Sequence, residues 1–187
     1  MKIGIFVGSF NPVHKGHIKI SNYIVSNYVD KILIVPTGNY WNKTNLIDIK
    51  DRINMLKFYE KDNIIINDTL NDLEYTYQVI DRLKSIYKDD KLYLIMGADN
   101  IVNFDKWKNY KELLEIGFII FKRDGIDINY YLDKLNKKND VIIIDNVEKI
   151  NISSTEIRKK IKENKDLNDL LDKKIIDYIK NNKLYKE

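Results

Sequence analysis

Cysteine is absent from the sequence. That removes a disulfide framework and a zinc–thiolate centre from consideration and fits a reducing compartment, so a cytoplasmic location is the expectation. No apolar run approaches the roughly 20 residues needed to cross a bilayer, and the N-terminus enters a strand pattern with no signal-peptide features, so no membrane partner is expected. No charge of one sign dominates: 32 basic against 28 acidic residues leave a net +4. Such a balance does not call for a nucleic-acid partner, and an anionic small molecule fits it as well. Proline occurs twice, alanine once (Ala98) and histidine twice, at His14 and His17. No Ser-His-Asp or paired-carboxylate constellation stands out. No internal repeat or flexible linker interrupts the 187 residues, which are expected to form one domain over 1–187. Oligomeric state is left undecided between monomer and homo-oligomer.

Against these absences stands a regular alternation. Apolar runs at Lys2–Val7, Lys31–Val35, Ile64–Asn67, Leu92–Met96, Phe118–Phe121 and Val141–Ile144 are mostly continuous in Ile, Val and Leu, as in strands buried on both faces of a parallel sheet. Helical patterns separate them. Val79, Ile80, Leu83, Ile86 and Tyr87 recur on one helical face, and Trp107, Tyr110, Leu113 and Leu114 suggest another. Two closing helices are expected near Ser154–Glu163 and Leu167–Asn181, packed on the rest, with surface loops at Asp124–Asn129 and Lys137–Asp140. The pattern predicts an α/β fold: a Rossmann-like, doubly wound parallel sheet of about six strands, helices on both faces and a C-terminal helical pair. Such sheets bind ligands beyond the carboxyl ends of their strands, where strand order reverses.

The turn after the first strand is therefore the expected site. The run Ile3–Val7 stops at Gly8 and passes through Ser9-Phe10-Asn11-Pro12-Val13 to His14-Lys15-Gly16-His17, where a helical pattern begins. A strand, a glycine turn and a helix start present backbone N–H groups to phosphate. Both histidines of the protein fall here. A second candidate is Ile152-Ser153-Ser154-Thr155-Glu156-Ile157-Arg158, where Ser153 or Ser154 suits an N-cap, and hydroxyls, a helix start and a guanidinium together suit an anion. A third is Gly97-Ala98-Asp99 at a strand end. Gly97 lets a ligand approach the backbone, and Asp99 can accept from ribose hydroxyls. Downstream, Trp107 is a candidate for stacking on a heteroaromatic ring.

Gly8–His17 resembles the G-x-F-x-P-x-H-x-G-H signature of nucleotidyltransferases, a superfamily that moves AMP or CMP from a nucleoside triphosphate to a phosphate-bearing acceptor. Ile152–Arg158 resembles the I-S-S-T-x-I-R motif of its nicotinate/nicotinamide mononucleotide adenylyltransferase branch. Gly97–Asp99 with Lys106-Trp107, Glu74–Tyr77, the Arg52/Met55 helix and the closing Ile176–Ile179 with Leu184-Tyr185 are similar to segments of the bacterial nicotinate mononucleotide enzymes, so the likeness spans nearly the whole chain. Departures fall at Tyr40-Trp41-Asn42-Lys43, where the family has P-P-H-K or P-P-H-R, at Glu74 in place of Ser, and at Lys108 after the Trp.

The resemblance implies adenylyl transfer from ATP, brought as its Mg²⁺ complex, to nicotinate mononucleotide. It places His14, His17 and Arg158 on the reacting and leaving phosphates. Gly8, Ser9, Phe10, Gly16, Gly97, Asp99, Ser153, Ser154 and Thr155 are placed around ATP, and Lys43, Tyr75, Thr76 and Trp107 around the acceptor. No protein ligand for a metal is assigned. Alternatives are the same reaction on nicotinamide mononucleotide or another phosphate acceptor such as phosphopantetheine, and a catalytically silent nucleotide-binding regulator. A tRNA-synthetase-like reading shares the H-x-G-H turn, but the chain is short for a tRNA-binding body and lacks a K-M-S-K-S-type loop.

Overall fold

In the computed structural model, which describes residues 1–39, 46–145 and 152–186, every expected apolar run is a strand. β1 (Lys2–Gly8), β2 (Lys31–Pro36), β3 (Ile64–Ile66), β4 (Lys91–Gly97), β5 (Gly117–Phe121) and β6 (Val141–Ile144) pair in parallel throughout, in the order β3-β2-β1-β4-β5-β6. The order reverses between β1 and β4, so their carboxyl ends open a crevice. β1 pairs Gly8 with Pro36, and one further bond, Thr37 N–H to the Gly8 carbonyl at 2.8 Å, carries the ladder into the turn.

The strand sequences are apolar on both faces because both are covered. Ile32 and Ile34 face one core and Leu33 and Val35 the other; Ile119 and then Phe118 and Ile120 divide in the same way. The first core receives α1 (Lys15–Asn27) through Ile20 and Ile24, and α2 (Ile49–Lys57) through Met55 and Leu56. It also receives α7 (Ser154–Lys162) through Ile157 and α8 (Lys173–Asn181) through Ile175, Ile176 and Ile179. The second is built with α3 (Thr76–Ile86), the short α4 (Ala98–Ile101) and α5 (Tyr110–Leu113), and α6 (Ile128–Lys134).

Several expectations need correcting. The first helix starts at Lys15, not His17, because His14 caps it. The last begins at Lys173, not Leu167. Residues 167–171 form a single turn instead, and the Leu170 carbonyl is taken by the Lys15 N–H at 3.0 Å and so is lost to a helical ladder. Ile86, at the end of α3, is 58% exposed and leaves the apolar face that Val79, Ile80 and Leu83 form. Trp107 lies before α5, after a one-turn 3₁₀ segment at Phe104–Lys106, and is not on a common helix with Leu113. The Asp124–Asn129 loop gives its last two residues to α6, and Lys137 is buried with its ammonium 5.1 Å from the Phe118 ring centre.

Candidate active site

A cleft of ≈ 370 Å³ opens at the carboxyl ends of β1 and β4. Of the residues singled out in the sequence, Gly8, Ser9, Phe10, His14, Gly16, His17, Thr76, Gly97, Asp99 and Trp107 line it. They come from four separate stretches, which the strand order brings together.

The turn between β1 and α1 shapes the floor. Phe10 sits at φ 47°, the left-handed region, and is nonetheless 3% exposed. Its ring packs edge-on against Phe6 at 5.4 Å and against His17 at 5.0 Å, contacts that hold a conformation otherwise costing about 1 kcal/mol. Beyond it, the peptide between Asn11 and Pro12 is cis.

The two histidines cap one another. His14 is the N-cap of α1: its Nδ1 accepts the His17 N–H at 3.4 Å, and His17 Nδ1 accepts the His14 N–H at 3.3 Å. An Nδ1 that accepts cannot also carry the proton, so each neutral ring bears it on Nε2, as a single N–H donor. The rings stack with centres 3.6 Å apart. Burial pushes His14 down to about 4, with the nearby Arg123 guanidinium adding to the effect. Burial also holds His17 well below the usual imidazole range, assisted by His14 and then Arg123. At neutral pH the pair therefore presents donors without charge.

This predicts a pH signature. His14 stays neutral in the folded chain down to about 4 but takes up a second ring proton near 6.5 when unfolded. The unfolded state therefore binds more protons in that interval, and stability rises with pH across it: the contribution is complete above 6.5 and is lost as pH falls towards 4, on the order of 3 kcal/mol for this residue. Denaturant titrations at a series of pH values should show this slope, and His14→Asn, which keeps a capping acceptor, should flatten it.

On the opposite wall, Gly97 ends β4. A Cβ there would lie 2.5 Å from Asp99 Oδ1 and 2.9 Å from the Phe121 ring, so glycine keeps that wall open. Trp107 is half-buried, 5.1 Å from Phe104, with part of its surface towards the cleft. Thr76 opens α3; the Gln78 and Val79 N–H groups bond to the Tyr75 carbonyl at 3.0 and 3.4 Å, while those of Thr76 and Tyr77 precede the first acceptors of the helix. Tyr75 does not line the cleft, and its N–H is taken by Gln78 Oε1 at 2.9 Å. Lys15, between the histidines in sequence, turns away to the Asn168 carbonyl at 2.6 Å.

The Ser153–Arg158 segment lies behind the turn. Ser153 caps α7 by accepting the Glu156 N–H at 3.3 Å. Ser154 Oγ donates to the Pro12 carbonyl at 3.0 Å. Arg158 donates from Nη1 to the Asn11 carbonyl at 2.8 Å and from Nη2 to Thr155 Oγ1 at 3.1 Å. None of these four lines the cleft itself; the adjoining Ile152 does. Lys43 and Asn42 lie outside the described residues.

Two contributors were not anticipated. Arg123, just past β5, lines the cleft, pairs through Nε with Asp99 Oδ1 at 2.9 Å and lies 5.8 Å from the Phe121 ring centre. Thr37, just past β2, lines it beside Ser9, with the two hydroxyl oxygens 3.5 Å apart. Each follows a strand end in the sequence, and that was the available signal. Only the strand order shows which strand ends share an edge. Among the described residues no group of three or more His, Asp or Glu is placed to hold a metal ion.

A glycine turn at a sheet's switch point, two neutral imidazole donors and a helix start form an arrangement suited to binding phosphate. The sequence profile of the cytidylyltransferase-like family matches residues 5–160, and the chain belongs to that family of nucleotidyltransferases. A protein of Fusobacterium nucleatum named "probable nicotinate-nucleotide adenylyltransferase" is 42% identical over 188 residues, covering 94% of this chain and 95% of that one. One of Clostridium acetobutylicum with the same name is 35% identical over 200 residues, covering 98% of each. Among solved structures, the Plasmodium falciparum nicotinic acid mononucleotide adenylyltransferase complexed with NaAD superposes with a TM-score of 0.83 at 28% identity, covering 98% of this chain and 97% of that one.

Proposed function

We infer that the chain transfers the adenylyl group of ATP to the phosphate of nicotinate mononucleotide, giving nicotinate adenine dinucleotide and pyrophosphate. The observation that carries this is the neutral, mutually capped histidine pair on the β1–α1 turn, in a chain that matches nicotinate-nucleotide adenylyltransferases over nearly its full length. An oxygen of the acceptor phosphate attacks the α-phosphorus, and the bond to the bridging α–β oxygen breaks. Pyrophosphate leaves with the electron pair. The nucleophile is already ionised at neutral pH, so the reaction needs no general base, and the depressed basicity of the histidines does not hinder it. Catalysis then consists of holding two anions in line and stabilising the charge that develops on the α-phosphate and the leaving group.

In this reading His17 donates Nε2–H to the α-phosphate and His14 to its neighbour. Gly8, Ser9, Phe10 and Gly16 surround the phosphates and ribose. Gly97 and Asp99 border the ribose, and Asp99 exchanges its Arg123 partner for hydroxyl donors. Ser153, Ser154, Thr155 and Arg158 lie towards the β/γ end. Thr76 and Trp107 hold the pyridine ring, with Tyr75 at the helix start and Lys43 adding charge for the acceptor phosphate. Magnesium enters as part of the MgATP substrate.

The acid form of the acceptor should be preferred. A pyridine carboxylate docks on the leading N–H groups of α3 around Thr76 with charge-assisted bonds, about twice as strong as neutral ones. A carboxamide would bring its own NH₂ against those donors and leave groups unpaired. Lys106 and Lys108 flank Trp107 in sequence and are exposed, while the exposed Glu74 works in the other direction. Pyrophosphate release measured with nicotinate and nicotinamide mononucleotides at equal MgATP should give a kcat/KM at least about tenfold higher for the acid. A ratio near one, or one favouring the amide, would assign the chain a different acceptor.

A further inference from the structure

The β1–α1 turn is held from behind by groups remote in sequence, and two of these belong to no part of the chemistry described above. Arg52, on α2, is fully buried (0% exposed) and does not line the cleft. Its guanidinium donates from Nη1 to the Ser9 carbonyl at 2.7 Å, from Nη2 to Asn39 Oδ1 at 2.7 Å and from Nε to the Ile47 carbonyl at 3.3 Å. Each of these acceptors is a neutral oxygen. A cation buried on neutral acceptors is a costly way to stabilise a core, and burial does pull the Arg52 pKa down. Tyr185, in the C-terminal tail, is 8% exposed and donates its hydroxyl to Asn11 Oδ1 at 2.9 Å, which also accepts the Ile47 N–H at 3.4 Å. Burial keeps that hydroxyl protonated and therefore a donor.

Both residues act on the same turn, the six residues from Ser9 to His14 between β1 and α1. An anion site built from backbone needs its carbonyl oxygens directed away from the anion. The Arg52 bond draws the Ser9 carbonyl into the protein interior, on the side away from the cleft that Ser9 itself lines. The Tyr185 bond fixes the Asn11 side chain at the point where Arg158 takes the Asn11 carbonyl.

We propose that Arg52 and Tyr185 are positioning residues for the phosphate chemistry: tying the Ser9 carbonyl and the Asn11 amide from behind, they fix the turn that carries Gly8, Ser9, Phe10 and the histidine pair to the cleft. The proposal rests on the nucleotide reading of that cleft.

The decisive variant is Tyr185→Phe, which removes one hydroxyl and keeps the ring. MgATP affinity, measured by calorimetry without any acceptor, should weaken roughly 3–10-fold, the effect of one buried hydrogen bond. Per folded molecule, kcat/KM for ATP should fall in parallel while KM for the acceptor stays unchanged. Arg52→Lys keeps the charge but cannot span three acceptors. It should show the same pattern, larger, and should recover more than Arg52→Met. A Tyr185→Phe protein with a lowered Tm and unaltered MgATP affinity would make the contact structural only and overturn the proposal, as would equal effects on both substrates. If wild type binds MgATP but releases no pyrophosphate with any mononucleotide, the acceptor reading fails while the affinity comparison still decides this inference.

Discussion

His17→Ala is expected to lower kcat by roughly 10²–10³-fold, the loss typical of one preorganised donor to a charge that forms in the transition state. His17 lines the cleft beside Phe6, Phe10 and His14, and the bond it accepts from the His14 N–H fixes its proton on Nε2. Because His17 Nδ1 is also half of the helix cap, the variant should lose about 1 kcal/mol of stability as well. Single-turnover pyrophosphate release and a thermal melt on the same sample separate the two effects. Near-normal turnover in a folded variant would remove His17 from the reacting phosphate, and global unfolding would make it a packing residue.

Arg158→Ala is expected to raise KM for ATP by about 10–100-fold, more than KM for the acceptor, the range of a lost charge-assisted hydrogen bond. In the unliganded chain its guanidinium spans the Asn11 carbonyl and Thr155 Oγ1, at the junction between the turn and the start of α7. A β/γ-phosphate there gains a cation that is already oriented. Equal changes in both KM values, or lost stability with no kinetic change, would place Arg158 among the residues that only join α7 to the sheet. Steady-state kinetics with each substrate varied in turn, beside a melt, decides between them.

The fold was legible because its strands are buried on both sides. Ile/Val/Leu runs such as Lys31–Val35 and Val141–Ile144 have little alternative to a covered parallel sheet, and the structure matches them within a residue or two. Helix starts were less legible. The helical pattern places the start of α1 at His17, and nothing in a linear sequence shows that two imidazoles three apart can cap each other and move that start to Lys15. The second closing helix was set too early at Leu167 because Leu167, Leu170 and Leu171 have helical spacing although the chain there makes only one turn. The site was legible where it lay on glycine turns and helix starts. Arg123 was missed because its relation to Asp99 depends on β5 lying next to β4. Arg52 and Tyr185 were noted only as parts of motifs, since their contact with Ser9 and Asn11 spans 43 and 174 positions.

That last separation also bears on when the site comes into being. β1 is made before its partner strand β4, which ends at Gly97, and the turn after β1 is fastened by Arg158 and Tyr185, made later still. A nascent chain can build one half of the sheet early, through pairings of moderate sequence separation, but the turn after β1 stays unfastened until Arg158 and Tyr185 have been made. In the proposed reading, ATP meets a fastened turn only after Tyr185 has docked, and it stabilises the fold by mass action on that docked state.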